Sequence, residues 1–237
     1  MNDILYIVVP AYNEAENIRS FIEDWYPVIE KHPGGGSSRL VVINDGSTDS
    51  TWDILREMSA ERPLLEPLTK PNGGHGPTLI YGYRHAVQSG AEYVFQTDSD
   101  GQTDPSEFEG FWRARRKYDA VFGMRPERGD GRDRLLVEKV LCAMLHVIFG
   151  VRVPDANAPF RIMKAEKLEK YLDRLPRDYA LPNVMLTTYF VYYHEKAAFR
   201  KITFRPRKAG KNSMNMKKIV QTGLQAMQEF LILRKGM

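Results

Sequence analysis

The sequence predicts an α/β fold in which helices flank a mostly parallel sheet. Three observations carry that expectation. Short runs rich in apolar and β-branched residues recur at residues 4–9, 40–43 and 93–97. The first two are apolar throughout instead of alternating, as in strands buried on both faces. Segments with helical spacing separate the runs, and strands that alternate with helices assemble into parallel sheets. With 237 residues, 43% of them hydrophobic, the chain can also bury a substantial core.

Residues 4–9 read as a buried strand ended by Pro10. A helix is expected over 13–29, with Ile18, Phe21, Ile22 and Trp25 on its inner face and Asn13 as a cap. Residues 33–38 form a loop, and 40–43 a second strand. The turn 44–49 leads into a helix over 50–60, for which Asp49 is the better cap than Asp45. A third unit has a strand at 64–69, the loop Asn72-Gly73-Gly74-His75-Gly76 and a helix over 78–89. The strand at 93–97 runs straight into Asp98. In the second half, helices are expected over 105–117, 134–149 and 165–172, and strands at 120–124, 161–164 and 199–204. A last helix covers 215–234, with Ile219, Leu224, Met227, Phe230 and Leu231 on or near one face. The expected organisation is a single domain over 1–212 with halves 1–104 and 105–212, followed by an amphipathic helix over 213–237.

Composition excludes several classes. The lone Cys142, set in an apolar run, reads as a buried inert thiol and rules out a disulfide framework or a cysteine metal site. No run of about 20 apolar residues is present and the N-terminus lacks a signal-peptide pattern, so a cytoplasmic protein is expected. The net charge of +4 is small, but residues 200–218 are strongly basic. Such a patch attracts phosphates, anionic lipid or nucleic acid, or is a solvated face. No nucleic-acid motif accompanies it.

The sharpest chemical signal is Asp98-Ser99-Asp100. Two carboxylates one residue apart after a strand point to the same side and repel each other unless a cation sits between them. Mg²⁺ or a similar hard ion takes one or two carboxylates and completes its shell with phosphate and water. Asp45, in a turn after the second strand, can accept hydrogen bonds from a base or ribose, or cap a helix. In open α/β sheets, ligands bind beyond the carboxyl ends of the strands. The turns at 10–14, 44–47 and 98–100 should therefore converge on one crevice. His75 either touches ligand or is a surface histidine, and His146 reads as a core histidine. Trp25, Trp52 and Trp112 read as core or rim residues.

Four segments together carry a resemblance: Val9-Pro10-Ala11-Tyr12-Asn13-Glu14 with Asn17, the run from Val42 through Asn44-Asp45-Gly46-Ser47 to Thr51, Asn72 with Gly74 and Gly76, and Gln96-Thr97-Asp98-Ser99-Asp100-Gly101-Gln102. In this order and spacing the chain resembles glycosyltransferase family 2, the inverting group that uses nucleotide sugars. It looks most like the polyprenyl- and dolichyl-phosphate sugar synthases. The resemblance implies a GT-A, Rossmann-like fold. It implies a UDP- or GDP-linked donor held by Pro10, Tyr12, Glu14, Asp45, Gly74, Asp98 and Ser99. It further implies Mg²⁺ or Mn²⁺ held by Asp98, Asp100 and Gln102.

For the acceptor half, the segment Asp155-Ala156-Asn157-Ala158-Pro159-Phe160-Arg161 resembles the branch's Asp-x-x-x-Gly-Phe-Arg, with Pro159 in place of glycine. Arg125, and Arg132 or Arg134, resemble the arginines that grip the acceptor phosphate. Val137 and Glu138 stand where the branch has a serine. Asp155, Arg125 and Arg161 are thus the catalytic candidates, with Asp155 as base if the acceptor is a hydroxyl. Arg207, Lys211 and Ser213 belong to a segment similar to the family's basic loop, which closes over diphosphate and acceptor.

The expected reaction is inverting transfer of a sugar to a polyprenyl phosphate. A saccharide hydroxyl in cell-surface polysaccharide synthesis is the alternative acceptor. A nucleotidyltransferase is disfavoured because the glycine-rich loop lies well after the first strand. A basic-patch binder of nucleic acid or membrane is the non-enzyme alternative, and nucleic acid is not expected as a partner. The last helix suits a membrane surface, a membrane-protein partner or packing against the domain, and a homo-oligomer is left open.

Overall fold

The computed structural model describes residues 3–126, 132–206 and 216–237, with backbone only for 132–135, 216–222 and 224. The described strands form a seven-stranded sheet: β1 (Leu5–Ala11), β2 (Arg39–Asn44), β3 (Leu65–Thr69), β4 (Tyr93–Thr97), β5 (Ala120–Met124), β6 (Phe160–Lys164) and β7 (Ala197–Lys201), in the order β3-β2-β1-β4-β6-β5-β7. All neighbours pair in parallel except β6, which runs antiparallel to both β4 and β5.

Alternation along β1 explains its unbroken apolar run. Leu5, Ile7, Val9 and Ala11 enter one core, while Tyr6 and Val8 enter the other. The first core is closed by α1 (Ile18–Lys31), α2 (Thr51–Ser59) and α4 (Phe108–Ala114). The second is closed by α3 (His75–Gln88), α5 (Arg132–Phe149), α6 (Ala165–Leu172), α7 (Pro182–Tyr192) and α8 (Met216–Lys235). On α1 the buried side chains Ile18, Phe21, Ile22, Trp25 and Ile29 follow the helical repeat. Full burial of each such side chain contributes roughly 1.5–3 kcal/mol.

Several boundaries move. Pro10 does not end β1; it lies inside it, opposite Ile43 of β2. Its carbonyl accepts the Ser99 hydroxyl at 2.9 Å, on the β4 side, where pairing has already stopped at Val8–Gln96. Backbone N–H and C=O of one strand residue face the same neighbour, so the missing N–H costs no ladder bond. Asn13 does not cap α1, which starts at Ile18; its backbone is left-handed (φ 53°) and its side chain bonds the second loop. Helix α3 begins three residues early, because Pro77 falls in its first turn, where no intrahelical N–H is needed. Helix α7 was not expected at all. Residues 105–107 are a 3₁₀ turn ahead of a shorter α4.

The side chain of Cys142 is half-buried instead of buried; burial and the Glu138 carboxylate push its thiol up to about 12, so it is inert. His146 is exposed, not a core residue. Of the expected α8 face, Phe230 is buried but Met227 and Leu231 are exposed. The helix docks through Phe230 against Phe149 of α5, with ring centroids 6.0 Å apart.

Candidate active site

A cleft of about 730 Å³ opens at the carboxyl ends of β1, β2 and β4. Pro10, Tyr12, Glu14 and Asp45 line it from the first two strand ends. Gly74, Asp98, Ser99 and Asp100 line it from the third unit and the end of β4. The three turns that follow these strands therefore meet, as open-sheet topology requires.

The first two turns are stitched together by side chains. The Asn13 N–H donates to Ser47 Oγ at 3.0 Å, and Thr48 N–H returns a bond to Asn13 Oδ1 at 2.8 Å. Glu14 N–H donates to Thr51 Oγ1, and Ala15 N–H to Asp49 Oδ2 at 3.1 Å. Asp49 also accepts Thr51 N–H from the position before the Ser50 N-cap, so it supports the start of α2 without being its cap residue, and it ties down the first loop. Burial opposes its charge, but the Thr51 and Ala15 donors outweigh this and hold the carboxyl below its usual range.

Asp45 is 3% exposed and bonds across to the glycine-rich loop. Its Oδ1 accepts the Lys70 ammonium and Gly73 N–H, and its Oδ2 accepts Gly74 N–H at 2.9 Å. Burial opposes ionisation, but Lys70, Gly73 and Thr78 prevail and keep the carboxyl below its usual range. Oδ2 retains acceptor capacity for a ligand donor. Gly46 makes this closure feasible: its φ is +65°, and a Cβ there would lie 2.7 Å from Asn72 N. Lys70 carried no signal in the sequence, since a lysine after a strand is ordinary.

Asp98 and Asp100 share the cleft wall. Asp98 Oδ1 accepts Gln96 Nε2 at 2.9 Å and lies 3.9 Å from His75 Nε2. Asp100 Oδ1 accepts Gln102 N–H at 3.1 Å. Gln102 is buried, and its Nε2 donates to the Arg205 carbonyl at 2.8 Å, while Arg205 N–H returns to the Gln102 carbonyl. Its amide thus ties the β4 turn to the segment leading into the basic loop. No group of three His, Cys, Asp or Glu side chains among the described residues is placed to hold an ion. The donor set fits a hard ion that takes two carboxylates and completes its shell with phosphate and water, as Mg²⁺ and Mn²⁺ do.

The acceptor-half candidates sit elsewhere. Asp155 and Arg125 do not line the cleft; they form a buried bidentate pair, with Nε–Oδ2 at 2.8 Å and Nη2–Oδ1 at 2.9 Å. Backbone N–H groups of Arg125 and Asn157 also donate to Asp155. Burial opposes its charge, yet Arg125 holds the carboxyl well below the usual range, which does not suit a base. Glu138 completes the cluster, 3.6 Å from Arg125 Nη2 and bonded to Ala156 N–H at 2.8 Å. Arg161 is fully buried and donates to the carbonyls of Ala156, Ala158 and Asn183 and to Thr187 Oγ1. It belongs to β6, its side chain bonds α7, and it does not line the cleft. The side chains of Arg132 and Arg134, and all of Arg207, Lys211 and Ser213, lie outside the described residues.

Comparison with known proteins bears on the family and the fold. The family model described as Glycosyl transferase family 2 matches residues 6–172. The chain is 32% identical over 106 residues to dolichyl-phosphate beta-glucosyltransferase ALG5C of Trichomonas vaginalis, covering 43% of this chain and 31% of that protein. It is 27% identical over 158 residues to undecaprenyl-phosphate 4-deoxy-4-formamido-L-arabinose transferase of Pectobacterium atrosepticum, covering 65% of this chain and 47% of that one. The chain thus spans half or less of the length of these two relatives. Glucosyl-3-phosphoglycerate synthase of Mycobacterium tuberculosis, solved with Mn²⁺, uridine-diphosphate-glucose and phosphoglyceric acid, has the same fold: TM-score 0.70 at 18% identity, over 99% of this chain and 80% of that one.

Proposed function

The chain belongs to glycosyltransferase family 2, and we propose that it moves a sugar from a nucleoside-diphosphate sugar to a polyprenyl phosphate with inversion at the anomeric carbon. One observation carries the reading most: Asp45, Asp98, Asp100 and the N-terminus of α3 converge on a single cleft of about 730 Å³, large enough for a nucleotide sugar. The names of the curated relatives, both acting on polyprenyl-type phosphates, support the acceptor.

In this reading each wall has a task. Tyr12, 47% exposed on the cleft, offers an aromatic face to the base. Asp45 accepts a hydrogen bond from base or ribose through Oδ2. The N-terminus of the 14-residue α3 places its positive end toward the diphosphate. Asp98 and Asp100 would hold Mg²⁺ or Mn²⁺, and the ion when bound would neutralise charge on the leaving diphosphate. An acceptor phosphate oxygen bonds to the anomeric carbon as the carbon–oxygen bond to the diphosphate breaks and its electrons pass to the diphosphate. A phosphate acceptor is already anionic, so no base is required. That agrees with an Asp155 whose oxygens are committed to Arg125. Residues 207–213 supply further cations, as the sequence suggests.

The acceptor side calls for a lipid surface. No helix among the described residues is long and apolar enough to cross a membrane. Instead α5 exposes Leu136, Val140 and Val147, and its partner α8 exposes Leu231 and Ile232. Lys139, Arg152 and Lys235 are exposed nearby in the chain, and an apolar face with cationic residues suits an anionic leaflet, here its cytoplasmic side.

The test is a thermal-shift panel of UDP- and GDP-sugars with Mg²⁺ or Mn²⁺, followed by transfer to polyprenyl phosphate. A single donor should raise Tm only with metal present. Asp100→Asn should lose that metal-dependent rise and about a hundredfold or more of turnover, while keeping its fold. Full turnover of Asp100→Asn in chelator would overturn the assignment. Transfer to a saccharide hydroxyl in place of the phosphate would overturn the acceptor.

A further inference from the structure

Behind Asp98 lies a chain of buried polar side chains drawn from three separate elements. Tyr83 of α3, Asn183 in the first turn of α7 and Gln96 of β4 are 0%, 2% and 0% exposed. The Tyr83 hydroxyl donates to Asn183 Oδ1 at 2.8 Å, and Asn183 Nδ2 donates to Gln96 Oε1 at 3.1 Å. Gln96 Nε2 then donates to Asp98 Oδ1 at 2.9 Å.

The chain has one polarity. Its far end is a phenol that burial keeps protonated, and its near end is a carboxylate that can only accept when ionised. Turning the Gln96 amide over would set Oε1 against Asp98. With Gln96 so fixed, turning Asn183 over would set its Oδ1 against Gln96 Oε1, two acceptors facing each other. Every donor therefore points toward Asp98, and aligned hydrogen bonds polarise one another.

Arg161 fixes the middle of the chain. Its Nη1 donates to the Asn183 carbonyl at 2.9 Å, and the Thr187 hydroxyl donates to the same oxygen at 2.9 Å. The first turn of α7, and with it the Asn183 amide, is thereby held against β6, where Arg161 lies opposite Gln96 of β4. Apolar side chains could fill this layer without any demand for partners, whereas buried polar groups cost stability unless each is satisfied. What the polar set supplies, and apolar packing would not, is a directed donor at Asp98.

We propose that Tyr83, Asn183 and Gln96 are positioning residues that orient Asp98 toward the metal–diphosphate, with Arg161 anchoring Asn183. The chain occupies Oδ1 and leaves Oδ2 as the oxygen for the cleft. The inference rests on the donor site proposed above, and it changes the role of Arg161 from a group at the reacting atoms to an anchor beneath them.

The test compares the wild type with Gln96→Met, Asn183→Leu and Tyr83→Phe. Mn²⁺ binding is read by electron paramagnetic resonance with saturating UDP, and UDP binding without metal by calorimetry. Groups that orient a metal ligand typically change metal affinity about 10- to 100-fold when removed. Gln96→Met should weaken Mn²⁺ at least about tenfold, Asn183→Leu less, and Tyr83→Phe about two- to threefold. Metal-free UDP affinity should stay within about twofold in all three, a pattern that loss of packing alone would not give. Folded variants that bind Mn²⁺ as the wild type does would overturn the proposal.

A second readout needs no ligand. In Asp98→Ala and in Tyr83→Phe the side-chain amide proton resonances of Gln96 and Asn183 should both shift. Unmoved resonances would overturn the chain itself. If wild-type protein binds no Mn²⁺ and neither UDP nor GDP, the donor-site reading fails and the orienting role toward metal fails with it. Shifted resonances would then show that the chain is real and that the error lies in the ligand.

Discussion

Asp155 keeps a negative charge in a site that is 3% exposed because donors converge on it from Arg125 and from the backbone of Asn157. Burial alone would raise its pKa; the guanidinium reverses the sign. A carboxyl with a depressed folded pKa stabilises the protein above its unfolded value of about 3.9 and loses that contribution as pH falls through the folded value. Wild-type Tm should therefore fall steeply below about pH 5, and Asp155→Asn should lower Tm at neutral pH while flattening the acid slope. Removing one partner of such a pair costs roughly 3–5 kcal/mol, because the other charge stays buried. A parallel acid slope in wild type and variant would refute this account. The sequence marked Asp155 as chemically important, but only the fold shows that its importance lies in the Arg125 pair.

Elements explain why the strand-end residues were legible and others were not. A carboxylate after an apolar strand is visible in any sequence, and topology then sends it to the carboxyl edge of the sheet. Asn183 gave no such signal. Helix α7 is buried on every side from Pro182 to Phe190, so it lacks the amphipathic period by which helices are recognised. The antiparallel direction of β6 was equally silent, since an apolar run does not encode strand direction. Gly76 is an element-scale requirement. A Cβ there would lie 2.4 Å from the carbonyl oxygens of Tyr179 and Ala180, where the lead-in to α7 crosses the start of α3. Gly76→Ala should force these segments apart and cost about 1–3 kcal/mol in denaturant unfolding. The displaced Gly74 amide should also weaken nucleotide binding. An unchanged unfolding midpoint would show that the crossing yields without cost.

Across the whole molecule, the cleft opens at the carboxyl edge of the sheet, while the exposed aliphatic side chains Leu136, Val140, Val147, Leu231 and Ile232 belong to α5 and α8 on one of its faces. If that face meets lipid, wild-type protein should float with anionic liposomes at low salt. Leu231→Glu with Ile232→Glu should reduce flotation severalfold, with donor binding unchanged. Flotation equal to wild type would direct attention to another surface. The variant positions are already exposed, so the fold should tolerate them.

Local pattern in the sequence is enough for the α/β class, the first four strands and the place of Asp45, Asp98 and Asp100 among the carboxylates of the cleft. Those properties follow from local pattern: continuous apolar runs demand burial on both faces, and the residue after such a run must lie at a strand end. Tertiary structure alone decided what each charged side chain does. Arg125 closes on Asp155 and Arg161 on Asn183 through contacts 22 to 30 residues apart, and Tyr83 reaches Asn183 across 100. Such partnerships depend on which elements pack together, and local patterning does not specify that. Asp98, half of a motif in the sequence, is the cleft end of a buried hydrogen-bonded chain in the fold.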